Sequence, residues 1–280
     1  MNKLLYYIIL YYMVKLPKPS RRSSRKPLRR SSRKPLRRSS RKSLRKTSRK
    51  KGSSRKSLSN RNNKLNIAIL FSGRLTSHDK HYNNIMKNIV QGNNVDFYAG
   101  LSTEPINNEL LPAFKKLYKP IKVRKSSRPL LDINWDKVKS NLNMEPIKKN
   151  PMFMWRNRDN VMELFKKSKK KYDWVISTRL DVYYDEKLNF NKLSRDKINI
   201  PLLADYGGYQ DKIAIGKKNI ILDYLDLYNN MSEYLKVKPI NPEPLLKYHI
   251  QQKNLPVQRI HLKHKIYPKV PLKRKVANAK

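Results

Sequence analysis

The stretch YDWVISTRLDVYYDE, residues Tyr172 to Glu186, ends in three carboxylates, Asp181, Asp185 and Glu186, directly after a sealed apolar run. In a chain with 65 Lys and Arg against 20 Asp and Glu, acids at that place run against the compositional trend. Carboxylates at the end of a buried strand can move protons or ligate a divalent cation. Two further groups have the residue types for a site. Ser72-Gly73-Arg74 closes another apolar run, and Asp205-Tyr-Gly207-Gly208-Tyr-Gln-Asp211 sets two acids around a glycine pair. His78 with His81, and His261 with His264, lack the further ligands of a zinc-type or facial set at suitable spacing. The absence of cysteine excludes disulfides, thiolate metal sites and a cysteine nucleophile. No Gly-rich Lys loop and no G-x-G-x-x-G is present, which disfavours a nucleoside-triphosphatase or a dehydrogenase.

The elements that must hold these residues alternate between strand and helix. Leu65 to Ser77 rises as a β-branched and aromatic run that stops at Ser72-Gly73, which reads as a buried parallel strand. Ile85, Met86, Ile89 and Val90 then recur at helical spacing before Gly92. Residues 94–102 form a second strand and 117–126 hold a short third one, followed by a polar, irregular stretch to Pro151. A helix is expected from Phe153, with Met154, Val161, Met162, Leu164 and Phe165 on one face and lysines at its C-terminal end. Tyr172 to Thr178 is the next strand. After it come short strands in 197–202 and 211–216, one helix over 217–231, a helix over 242–254 and a closing strand in 257–263. The order is α/β, and the short later strands predict a mixed, mainly parallel central sheet. Two buried strands joined by a helix place a ligand beyond the carboxyl ends of the strands.

Charge divides the chain. Lys15 to Arg61 holds 22 basic residues and no acid, whereas residues 62–280 carry 42 basic and 20 acidic ones. From Ser24 the motif SRKPLRRS repeats with a period of eight, and such a segment buries too little apolar surface to offset its conformational entropy. The expected organisation is an apolar leader over 1–16, a disordered basic repeat over 17–63, one folded domain over 64–270 and a basic C-terminal tail over 271–280. The leader, Leu4 to Val14, falls short of the roughly 20 residues that cross a bilayer as a helix. It reads either as a weak interfacial anchor or as an unstructured lead-in. The repeat suits non-specific contact with nucleic acid or an anionic membrane, and its RRSS and RKS steps suit phosphorylation. The lack of cysteine accords with a reducing, cytoplasmic setting, including a virion-associated or peripheral membrane one.

Four segments, IAILFSGRL, YDWVISTRLDVYY, ADYGGYQDKIAIGKKNI and PEPLLKYHI, follow in an order and spacing that resembles GT-A-like nucleotide-diphospho-sugar glycosyltransferases. The likeness covers about Leu65 to Ile266 and is closest to a group frequent in large DNA viruses. It implies a single GT-A-like, Rossmann-like domain. In that family an Asp-x-Asp at a strand end holds the cation that neutralises a leaving pyrophosphate. Here Arg179 stands for the first acid and Asp181 matches the second. Either Asp181 alone anchors Mn²⁺ or Mg²⁺, or basic side chains meet the phosphates directly. An Arg179–Asp181 ion pair is the structural alternative.

By the same resemblance, Ser72, Gly73 and Arg74 form the first substrate loop, with Arg74 toward phosphate. Arg158 lies near the sugar-nucleotide or, with Asp159, on a solvated helix face. Gly207 and Gly208 let a loop approach the donor sugar. Asp211 touches hydroxyls and acts as base if the reaction inverts, or else belongs to a simple turn. Glu243 starts its helix. The chain thus reads as a glycosyltransferase that moves a sugar from a nucleotide-sugar to a protein or glycan acceptor. The alternative is a non-catalytic nucleic-acid or virion-packaging protein that binds polyanions through its repeat.

Overall fold

The computed structural model describes residues 64–75, 78–125, 131–134, 138 and 145–267. The leader, the basic repeat and the C-terminal tail lie outside the described residues. Strand β1 (Asn66–Gly73) leads into α1 (His78–Ile85), which continues as a π-helical turn over Met86–Val90. Strand β2 (Asn94–Leu101), α2 (Pro105–Tyr118) and β3 (Lys122–Lys125) follow. Helix α3 (Glu145–Lys166) returns the chain to β4 (Trp174–Arg179), and β5 (Val182–Tyr184) comes directly after. The second half holds β6 (Ile198–Pro201), β7 (Ile213–Gly216), α4 (Lys218–Leu225) and α5 (Leu227–Tyr234). It closes with α6 (Pro242–Gln252), β8 (Val257–Ile260) and β9 (His264–Ile266).

Among the described residues the main sheet has seven strands in the order β3-β2-β1-β4-β7-β6-β8, and β5 pairs with β9 in a separate ribbon. Strand β7 alone runs antiparallel to its neighbours, so the sheet is mixed and mainly parallel. Its central strands β1, β4, β7 and β6 bury both faces, as a sheet covered on each side must. Along β1, Ile67, Ile69 and Phe71 enter one core with α1 and α2, while Ala68 and Leu70 enter the other with α3 to α6. The period of two sends Trp174 and Ile176 of β4 to the first core and Val175 to the second.

Several elements differ from the sequence expectation. Helix α2 occupies a stretch between the second and third strands to which the sequence pattern assigns no element, and Pro105 sits in its first turn, where a proline is well tolerated. Helix α3 begins upstream of Phe153 and carries Pro151 within it. The helix expected over 217–231 is two helices, which meet at Asp226. The closing strand ends at Ile260, and a further strand beyond the expected one, β9, joins the separate ribbon. Among the described residues no helix is long and apolar enough to cross a membrane.

Gly100 of β2 fixes how closely α3 lies on the sheet. A Cβ there would stand 2.3 Å from the Asn157 carbonyl oxygen and 2.7 Å from the Val161 nitrogen. Only glycine lets the helix backbone come so near, which brings Arg156, Asn157 and Arg158 down against the strand ends.

Candidate functional site

The chain leaves β1 toward β2 and β3 on one side, then crosses through α3 to β4 on the other side of β1. In open α/β sheets the crevice beyond the strand ends at such a reversal is where ligands bind. A cleft of about 650 Å³ lies there. Its floor is the end of β1, Ser72 to Arg74, and the end of β4, Arg179 to Asp181; its walls come from Ser102 to Glu104, one face of α3 and Pro242. Gly73 has a φ of 107° and a Cβ on it would meet nothing within 4 Å. Its backbone therefore faces open space, and the left-handed conformation is what glycine supplies.

Buried Asn107 of α2 locks the floor in place. Its Nδ2 donates to the Ser102 carbonyl and hydroxyl oxygens, each at 2.8 Å, and its Oδ1 accepts from the Leu75 main-chain N–H at 2.8 Å. Sequence reasoning missed this residue, although an Asn one turn into a helix after a strand end is a recognisable brace. Arg74 pairs with Glu104 at 2.5 Å across the mouth, with both side chains more than a third exposed.

At the end of β4, Arg179 donates from Nε to Asp181 Oδ1 at 2.8 Å and from Nη2 to Oδ2 at 2.5 Å. Both carboxylate oxygens are thus engaged side-on by one guanidinium. The Asp181 main-chain oxygen accepts from the Tyr267 N–H at 2.9 Å, so the ribbon of β5 and β9 secures this residue from behind. The other two acids of the cluster face the same ribbon. Asp185 pairs with Lys265 at 2.8 Å, and Glu186 accepts from the Lys263 N–H at 2.7 Å. Asp185 and Glu186 are therefore fastenings for the returning chain, and Asp181 is the member of the cluster that lines the cleft.

Behind the cleft, Arg158 is 1% exposed and Asp211 is 5% exposed. Arg158 Nη2 donates to Asp211 Oδ2 at 2.9 Å and to the Asp211 carbonyl at 2.5 Å, while its guanidinium lies 4.3 Å over the Trp155 ring. Burial pushes the Asp211 carboxyl up, but the charges of Arg158 and Arg179 pull harder and hold it below the ordinary carboxylate range. Asp211 does not line the cleft, and a depressed, paired carboxylate is a poor proton acceptor. Arg179 feels burial as well, but Asp181 and Asp211 together stabilise its charge. Arg158, Asp211, Arg179 and Asp181 thus alternate in sign from the core to the cleft.

The loop after β6 lies at the same sheet edge, yet Gly208 faces protein, while Gly207 is exposed. A Cβ on Gly208 would stand 1.8 Å from the Glu243 carbonyl oxygen, and Tyr209 N–H donates to that oxygen at 3.2 Å. Gly207 has a φ of 85°. The loop therefore braces the start of α6, whose Pro242 forms part of the cleft wall. Ser72, Gly73, Arg74, Arg179 and Asp181 share one cavity; Arg158, Gly207, Gly208 and Asp211 support it from outside.

Asn157 adds a polar group to the inner wall. It is 5% exposed and its Oδ1 has no hydrogen-bond partner among the described residues. That oxygen is enclosed, so it is a buried polar atom behind the wall and not a contact point on the cleft surface. Among the described residues no group of three or more His, Asp or Glu is arranged to hold a metal ion.

Residues 159–269 match a family model described as a domain of unknown function, DUF7796. The match takes in β4, Asp181 and the ribbon that secures it, and leaves out β1 with Gly73 and Arg74. No curated protein matches the chain.

Proposed function

We propose that the protein is a glycosyltransferase of GT-A-like architecture that binds a nucleotide-diphospho-sugar and passes its sugar to a protein or glycan acceptor. The observation that carries this reading is the cleft at the reversal between β1 and β4, lined by Arg74, Arg156 and Arg179 and by the carboxylate of Asp181. A leaving nucleoside diphosphate develops negative charge, and donors fixed in advance around that charge lower the barrier to its departure. Gly73 lets the diphosphate approach the backbone. Arg158 and Asp211 hold Arg179 in position and stay out of contact with substrate. The basic repeat would tether the enzyme to an anionic surface or acceptor.

The test is a thermal-shift screen of the full chain against a panel of nucleotide-sugars. A ligand at 100 times its Kd adds about 2.7 kcal/mol of stability, enough for a clear rise in Tm. One donor is expected to raise Tm, and Arg74→Ala is expected to abolish that rise. A folded protein that responds to no donor would leave the polyanion-binding reading in its place.

A further inference from the structure

We infer that this cleft grips a diphosphate through the guanidinium groups of Arg74, Arg156 and Arg179 and needs no divalent cation to do so. The inference rests on the transferase reading for its ligand and on the donor set of the cleft for its chemistry.

The family resemblance implies a cation at Asp181, and the residues present do not fit one. Both oxygens of Asp181 accept from Arg179. Glu104, the other carboxylate of the lining, is taken by Arg74. Each acid at the cleft thus already faces a guanidinium, and among the described residues no further acid joins them to make a metal-ligating group. A hard divalent cation wants about six oxygen ligands. This wall would offer a single carboxylate, and only after the cation had displaced an arginine and stood beside three like charges.

The same wall suits phosphate. Arg179 uses Nε and Nη2 on Asp181, and a guanidinium has five N–H donors, so Nη1 remains for a phosphate oxygen. Asp181 then acts as a positioning residue that sets the plane of the Arg179 fork. Arg156 comes from α3, where its guanidinium lies 5.2 Å from the Phe153 ring centroid. Arg74 comes from the loop after β1. Three chain segments therefore each bring an arginine to the lining of one cleft.

The test is calorimetric titration of the full chain with UDP, GDP and inorganic pyrophosphate, in excess EDTA and again in Mn²⁺, at a salt concentration high enough to suppress binding by the basic repeat. At least one nucleoside diphosphate and pyrophosphate are expected to bind equally in the two buffers. Arg179→Met should weaken both by about tenfold or more, the scale of a charge-assisted hydrogen bond. Asp181→Asn should change affinity only a few-fold. Arg74→Met serves as a second variant, and circular dichroism confirms that each variant is folded. Pyrophosphate binding in EDTA with no nucleotide binding would uphold the guanidinium grip and overturn the transferase reading. Binding that requires Mn²⁺ and disappears in Asp181→Asn would overturn the grip and leave the transferase reading intact. No binding in either buffer would overturn both.

Discussion

Arg158 and Asp211 show how a single pair serves the cleft from beneath. Two charges taken out of water incur a desolvation cost that their mutual attraction only partly offsets, whereas one left alone is far worse. Arg158→Met should therefore lower stability by about 3–5 kcal/mol, while Arg158→Met combined with Asp211→Leu should recover much of that loss. Urea titration of the two variants measures both. A double variant no more stable than the single one would mean that the pair does more than balance charge. The sequence showed Arg158 as a candidate and Asp211 as another, but not that they bind each other. Helical periodicity left Arg158 open as a solvated face, and no local pattern records that Gly100 draws that part of α3 onto the sheet.

At the level of elements, α4, α5 and α6 meet around His249, which is fully buried. Its Nε2 lies 2.8 Å from the Asp223 carbonyl, which can only accept, so Nε2 carries the proton and Nδ1 accepts from the Tyr234 hydroxyl at 3.2 Å. Burial, with Lys253 acting in the same direction, lowers its pKa to about 4, and the Asp223 carbonyl and Asp226 only partly oppose this. The unfolded chain has its histidine near 6.5 and so takes up the proton first as pH falls. Stability is therefore complete above about pH 6.5 and declines from there to about pH 4, by at most about 1.4 kcal/mol per pH unit for this group. His81, also lowered by burial, adds in the same sense. Gln keeps a donor for Asp223 and an acceptor for Tyr234 without titrating. Melting curves of His249→Gln across that range should show a shallower pH slope than the parent, whatever their absolute Tm, and an unchanged slope would remove His249 from the account.

The elements themselves were unevenly legible. Runs buried on both faces announced β1, β2 and β4 at once, because parallel strands need no partner pattern to be read. Helix α2 was hidden by Pro105, Pro112 and the Asn107-Asn108 pair, although Leu110, Leu111, Phe114 and Leu117 keep its apolar face. The β5–β9 ribbon could not be read locally. Two strands of three residues acquire their identity only by pairing across a long loop.

Across the whole molecule, charge is unevenly apportioned. About half of the formal +45 lies between Lys15 and Arg61, and acids of the folded part pair with basic partners on helices as well as at strand and ribbon ends. Nucleic-acid binding by the full chain should weaken steeply with salt, since each phosphate neutralised contributes about −0.9 to the slope of log K against log salt. Replacing the Lys and Arg of residues 17–63 by Ser should flatten that slope and leave the nucleotide-sugar response in place. Filter binding and thermal shift on the same preparations test the separation. A slope that survives the replacement would locate the polyanion surface on the folded part instead.

The hydrogen bond from Tyr267 to the main chain of Asp181 joins the mouth of the cleft to a segment that arrives only after the last sheet strand, β8, is complete. During synthesis the sheet can therefore assemble before the mouth acquires its final shape. The cleft's shape is thus set later than the sheet that floors it, and a protease that nicks the ribbon would unfasten Asp181.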